Sequence, residues 1–176
     1  MIDLLRRRRS IRTYIDQSIE PEKIQTLKEA ILRSPSSRNI NPWEFIFVQD
    51  KYVVEQLSYA KQHGSAFLIG APLAIVVLGD STKSDVWVED CSIASIIVQL
   101  VAQSLGLGSC WVQIRQRQHN EHITAEEFVQ HLLDIPEHIK VESIIGIGHP
   151  AEKRQGVPYE KLQFGKIHLN KFGDKR

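Results

Sequence analysis

The chain has 176 residues, 42% of them apolar and 24% charged, with a net charge of +1. That length can bury a core of its own, and the composition excludes a disordered or membrane-embedded chain. The near-neutral balance also excludes bulk affinity for nucleic acid.

No apolar run reaches bilayer length, and the N-terminal charges follow the first apolar residues, the wrong order for an export signal. The expectation is a cytoplasmic protein with residues 1–176 in a single domain. Cys91 and Cys110 lie in apolar stretches and read as reduced core thiols, not as a disulfide.

In chain order, Ile2 to Arg8 reads as a short helix running into Arg6-Arg-Arg-Arg9. Arg8, Ser10 and Arg12 alternate, so extended backbone turns two guanidiniums and a hydroxyl to one side. That set suits a phosphate or an electron-rich ring edge. A solvated patch is the plain alternative for Arg6 and Arg7. Glu20-Pro21 opens a helix whose apolar face is Ile24, Leu27, Ile31 and Leu32, ending near Ser34-Pro35. Pro35-Ser-Ser-Arg-Asn-Ile-Asn-Pro-Trp43 is rich in turn formers and hydrogen-bonding side chains, held at the mouth of a strand over Phe45–Val48.

Lys51 to His63 reads as a helix carrying Val54, Leu57 and Tyr59, and Leu73–Leu78 as a central strand. The segment from Val88 to Leu105 contains no Pro or Gly and is capped by Gly106. Ile93, Ile96, Ile97, Leu100 and Val101 share one face, while Ala94, Val98, Ala102 and Leu105 widen the apolar surface. A helix so apolar must be buried on more than one side, one the core and the other a partner subunit. It runs into Gly106-Leu-Gly-Ser-Cys-Trp-Val112, a tight turn and the start of a strand continuing to Ile114.

Thr124-Ala-Glu-Glu is a capping-box pattern for a helix through Leu133. Lys140–Gly148 is a further strand, ending in Gly146-Ile-Gly-His-Pro150. The tail from Ala151 onward is basic and aromatic, too poor in apolar residues to stand alone.

His119 and His122 lack a third ligand of suitable spacing, so no metal site is expected. There is no phosphate-loop pattern, dinucleotide fingerprint or nucleophile elbow. Cys110 has no evident base. A chain without its own acid, base or nucleophile is a binding module, or an enzyme whose chemistry belongs to a cofactor.

Four stretches occur in order across nearly the whole chain: Arg8-Arg-Ser-Ile-Arg12, Pro35 to Trp43, the apolar helix running into Gly106-Leu-Gly-Ser-Cys-Trp111, and Ile144-Ile-Gly-Ile-Gly-His-Pro-Ala-Glu152. Together they resemble the short members of the nitroreductase family of FMN-dependent oxidoreductases. The resemblance implies an α+β fold with a central, mostly antiparallel sheet flanked by helices. It implies an intertwined homodimer with FMN at the subunit interface. The tail, about residues 151–176, would wrap over the partner and add an edge strand.

Carried over by position, Arg8 and Ser10 would hold the FMN phosphate and ribityl region, with Arg9 also a cofactor contact. Arg12 would sit at the N1 and O2 edge of the ring, where a cation stabilises the charge that reduction places there. Pro35, Ser36, Ser37 and Asn39 would reach the flavin from the other subunit. Val112, Gln113 and Ile114 would pass under the ring, with a backbone N–H near N5. Gly148 would permit close approach, and Lys153 or Arg154, or else Lys161, would complete the phosphate site. Asn41 stands where the family has Gln, and Arg38 adds a charge to the same loop. The implied activity is ping-pong: NADH or NADPH gives a hydride to the flavin, and nitroaromatic, quinone or similar acceptors are then reduced. A non-catalytic flavin-binding sensor or storage protein, and divergent flavin chemistry, are the alternatives. Neither nucleic acid nor membrane is expected as a partner.

Overall fold

The computed structural model describes residues 1–175. Its elements are α1 (Ile2–Arg7), α2 (Pro21–Leu32), β1 (Trp43–Val48), α3 (Lys51–Ser58), β2 (Leu73–Asp80), α4 (Trp87–Ser104), β3 (Gly108–Gln113), α5 (Ala125–Leu132) and β4 (Ile139–Gly148). The strands form one sheet in the order β1-β2-β4-β3, every neighbouring pair antiparallel. With helices on both faces, this is the α+β architecture the resemblance implied.

The two central strands are β2 and β4. All of β2 is buried, and so is β4 except Lys140. Strands covered on both faces need continuous apolar runs, which is why Leu73–Leu78 and Ile144–Ile147 read as they do. One face carries α2 and α4, the other α3 and α5. The register slips between Val77 and Leu78, leaving Glu142 as the extra residue of a β-bulge.

In α4 the core side is made by small residues. Cys91, Ala94, Val98 and Ala102 pack on Ile75, Val77, Ile145 and Ile147. The larger Ile93 and Ile96 point away from the sheet and are 39% exposed. Small side chains let the helix axis approach the sheet closely, and the bulky aliphatics are left on the far side. Gly106 follows the helix at φ +77°, the left-handed conformation that closes it.

One boundary and one apolar face differ from expectation. Helix α3 stops at Ser58 instead of continuing to His63, and Tyr59 is exposed. The hydroxyl of Ser65 donates to the Ser58 carbonyl at 2.7 Å and so satisfies the helix end early. Leu32 is also exposed, one residue past Ile31, the last residue of α2 to enter the core. At α5 both halves of the capping box form: Thr124 Oγ1 accepts from the Glu127 N–H, and Glu127 accepts from the Thr124 N–H.

Beyond Pro150, among the described residues, the tail contributes no strand, only short turns at Tyr159–Lys161 and Phe164–Lys166. Val157, Tyr159, Phe164, Ile167 and Phe172 along it are exposed. Among the described residues no helix is long and apolar enough to cross a membrane.

Candidate functional site

After α1 the chain runs extended along the sheet's β3 end. Ser10 bridges Ser109 in parallel, with the Ile11 N–H donating to the Ser109 carbonyl at 3.0 Å. Further on, the Ile15 N–H donates to the His149 carbonyl at 2.8 Å, and the Ala151 N–H to the Thr13 carbonyl at 2.9 Å. The Tyr14 hydroxyl donates within this seam, 2.7 Å from the Ile11 carbonyl and 3.1 Å from that of Gly146. Burial raises the Tyr14 phenol above its ordinary range, so it stays a donor.

From Arg8 onward the extended form alternates the side chains. Arg6, Arg7, Arg9 and Ile11 line a cleft of about 450 Å³ together with Glu152, Lys153, Arg154, Gln155 and the end of α4. Arg9 there donates to the Gln155 carbonyl at 2.7 Å. Arg8, Ser10 and Arg12 turn the other way, toward Cys110. Burial raises the Cys110 thiol, while Arg12, the Ser10 hydroxyl, Arg8 and Arg154 each pull it down. The structure therefore brings Arg8, Ser10, Arg12 and Arg154 toward Cys110, and Arg154 also lines the cleft that holds Arg9 and Lys153.

Glu152 organises this group. Its Oε1 accepts the Arg12 main-chain N–H at 2.6 Å and its Oε2 accepts from Arg154 at 2.7 Å. The Arg12 N–H is the chief reason, and Arg154 the next, that the Glu152 carboxyl lies below the usual range. With the backbone N–H taken, the exposed Arg12 guanidinium remains available, 5.9 Å above the Phe67 ring.

Strand β3 is the sheet edge beside this cluster. Ser109 turns its carbonyl outward to Ile11, so alternation turns the main-chain groups of Trp111 and Gln113 to the same edge. No strand covers them among the described residues. Val112 and Ile114 are buried in the core against α5 and can offer only backbone. The Gln113 side chain accepts from the Trp111 indole at 3.1 Å and donates to the Arg115 carbonyl at 3.1 Å, fixing the strand end. At Gly148 a Cβ would stand 2.6 Å from Pro72 and 2.9 Å from Tyr14. Packing within the chain already demands glycine there.

The Pro35–Asn41 loop is elsewhere. The Ser37 N–H donates to Asp90 Oδ1 in the first turn of α4 at 2.8 Å, and Arg38 pairs with Asp85 at 2.7 Å. Asn41 is engaged internally, its Oδ1 accepting from Ser36 Oγ at 2.7 Å. Arg38, Asn39 and Asn41 all have left-handed backbone, at φ 53°, 55° and 52°. The arginine strip instead adjoins Gln103 and Gly106 at the other end of α4. At 1.5 Å per residue, Asp90 and Gln103 are separated by about 20 Å. Within one chain, the two groups of candidate residues do not meet.

Sequence reading missed Asp90, Glu152 and Tyr14. Asp90 looks like an ordinary helix-dipole acid, and its partner is 53 residues away. Glu152 stands inside a motif that was noticed but had no role attached.

A four-stranded antiparallel sheet clad in helices, with arginines beside an open edge strand, defines the class: an α+β protein with a cationic sheet edge. The sequence profile described as the Nitroreductase family matches residues 5–63 and 51–149. The chain belongs to the nitroreductase family. It is 43% identical to an FMN-dependent nitroreductase from Clostridium difficile, whose solved structure aligns over 98% of this chain and 100% of that one at a TM-score of 0.96. It is 38% identical to an Archaeoglobus fulgidus protein provisionally named an NADH dehydrogenase/NAD(P)H nitroreductase, over 84% of this chain and 83% of that protein. A Bacillus subtilis FMN reductase [NAD(P)H] is 28% identical over 92% of this chain and 72% of its own length.

Proposed function

We propose that this chain is an NAD(P)H-dependent FMN oxidoreductase that acts as a homodimer. The observation that carries the reading is the gathering of Arg12 and Arg154 on Glu152, with Ser10 bridged to Ser109 and Arg8 beside it, at the open edge of β3. Three guanidiniums and a hydroxyl match a phosphate and an electron-rich ring edge. FMN would supply the redox chemistry, taking a hydride from NADH or NADPH and passing electrons to a nitroaromatic, quinone or similar small acceptor.

The chain's own residues supply position and charge. Arg8, Ser10 and Arg154 hold the phosphate and ribityl end. Arg12 places positive charge at the pyrimidine edge, and the edge-facing main chain of Gln113 offers an N–H to the ring. Val112 and Ile114 keep that backbone fixed by filling the core. Arg9 and Lys153 line the adjoining cleft, which Arg154 shares, and add positive field there.

A second copy completes the site. Pro35, Ser36, Ser37 and Asn39 stand at the far end of α4, so only another chain brings them to the cation cluster. Two α4 helices packed antiparallel through their Ile93 and Ile96 faces place each loop at the other's cluster. The open edge of β1 and the exposed apolar residues of the tail suit a tail crossing to the partner.

The test is the absorbance spectrum of the purified protein, mass analysis of the released chromophore, then stopped-flow mixing with NADH and NADPH. Bound FMN that bleaches with a nucleotide is expected. A colourless protein that refuses added FMN ends the reading. FMN that neither nucleotide bleaches leaves a flavin-binding protein without turnover.

A further inference from the structure

Asp90 is 3% exposed, an acid buried in a largely apolar helix. Its Oδ1 accepts the Ser37 N–H at 2.8 Å, and its Oδ2 is buried with no partner among the described residues. Dipole compensation alone does not require burial, since an exposed acid in the first turn provides it. Burying a carboxyl is costly unless it holds something.

What it holds is a loop that its local sequence strains. Arg38, Asn39 and Asn41 occupy left-handed backbone without being glycine. The Ser36–Asn41 side-chain bond closes the loop on itself but attaches it to nothing. Between Pro35 and Asn41, two hydrogen bonds among the described residues tie it to the body. One is the Arg38–Asp85 pair, whose side chains are 65% and 80% exposed and which solvent screens. The other is the buried bond to Asp90.

We propose that Asp90 is a positioning residue for the flavin site of a second copy: it fixes the 36–41 loop so that Ser36, Ser37 and Asn39 are presented across the interface. This rests on the dimeric flavin site proposed above. The tie itself can be measured without flavin. Amide exchange at Ser37 is slow in the wild type and fast in Asp90→Ala, whereas Asp90→Asn, whose side-chain oxygen still accepts, keeps it slow. FMN affinity follows the same order, falling about tenfold or more in Asp90→Ala and less than about threefold in Asp90→Asn, with the dimer retained. Asp90→Val, which offers no acceptor to the Ser37 N–H, repeats the test should the alanine variant fail to fold.

A mixed dimer supplies the decisive readout. Co-expressed, differently tagged Arg8→Ala and Asp90→Ala chains form hybrids in which one site carries both changes and the other neither. The purified hybrid binds one FMN per dimer at wild-type affinity. Unchanged Ser37 exchange, unchanged FMN affinity in Asp90→Ala, or a hybrid that binds no FMN overturns the proposal. A wild-type protein that binds no FMN overturns the functional reading instead, and Ser37 exchange then still decides whether Asp90 holds the loop.

Discussion

Arg12 and Glu152 divide one task between backbone and side chain. Glu152 fixes the Arg12 main chain, and the guanidinium is left exposed to meet a developing charge. Arg12→Ala should therefore lower turnover by about a hundredfold while FMN affinity falls less than about tenfold. Steady-state kinetics alongside a fluorescence titration would show it, and equal losses would mean the arginine is misplaced. The Glu152 carboxyl is held below its ordinary range by the Arg12 N–H and by Arg154. A depressed carboxyl stabilises the fold above its unfolded pKa, and that contribution is lost as pH falls through the folded value. The seam between residues 12 and 152 should thus loosen below about pH 4. FMN release followed against pH should accelerate there, and Glu152→Gln should flatten that dependence.

At the scale of elements, periodicity revealed most of the fold, because strands covered on both faces and a capping box are local signals. The Thr124–Glu127 box formed as its four residues require. Helix α4 was recognised as over-apolar, and Ile93 and Ile96 are indeed the surplus. Which face meets the sheet was not legible, since that depends on the small residues Ala94 and Ala102 allowing close approach. The end of α3 was missed because Ser65, seven residues on, takes its terminal carbonyl. The alternation of Arg8, Ser10 and Arg12 was readable from spacing. The Ser37–Asp90 bond was not, because nothing local announces a contact between segments so far apart. Gly148 was noticed for a ligand's sake, yet Pro72 and Tyr14 occupy the space its side chain would need. Gly148→Ala is expected to cost about 1–3 kcal/mol, read as a lower urea midpoint. An unchanged midpoint would mean the seam yields without strain.

For the whole molecule, the exposed aliphatic face of α4 is the feature that a lone chain leaves unexplained. Replacing both Ile93 and Ile96 with Asp should give a folded monomer by size-exclusion chromatography and light scattering. Flavin binding should disappear with the dimer, although neither isoleucine belongs to the cation cluster. A monomer that still binds FMN tightly would show that one copy suffices.

The distance between the arginine strip and the serine loop along α4 has a thermodynamic corollary. If each copy carries only half of two binding sites, coenzyme and self-association are linked equilibria. The factor by which FMN tightens subunit association must equal the factor by which association tightens FMN. Dilution should then release the coenzyme, and saturating coenzyme should preserve assembly at concentrations where the bare chains would part.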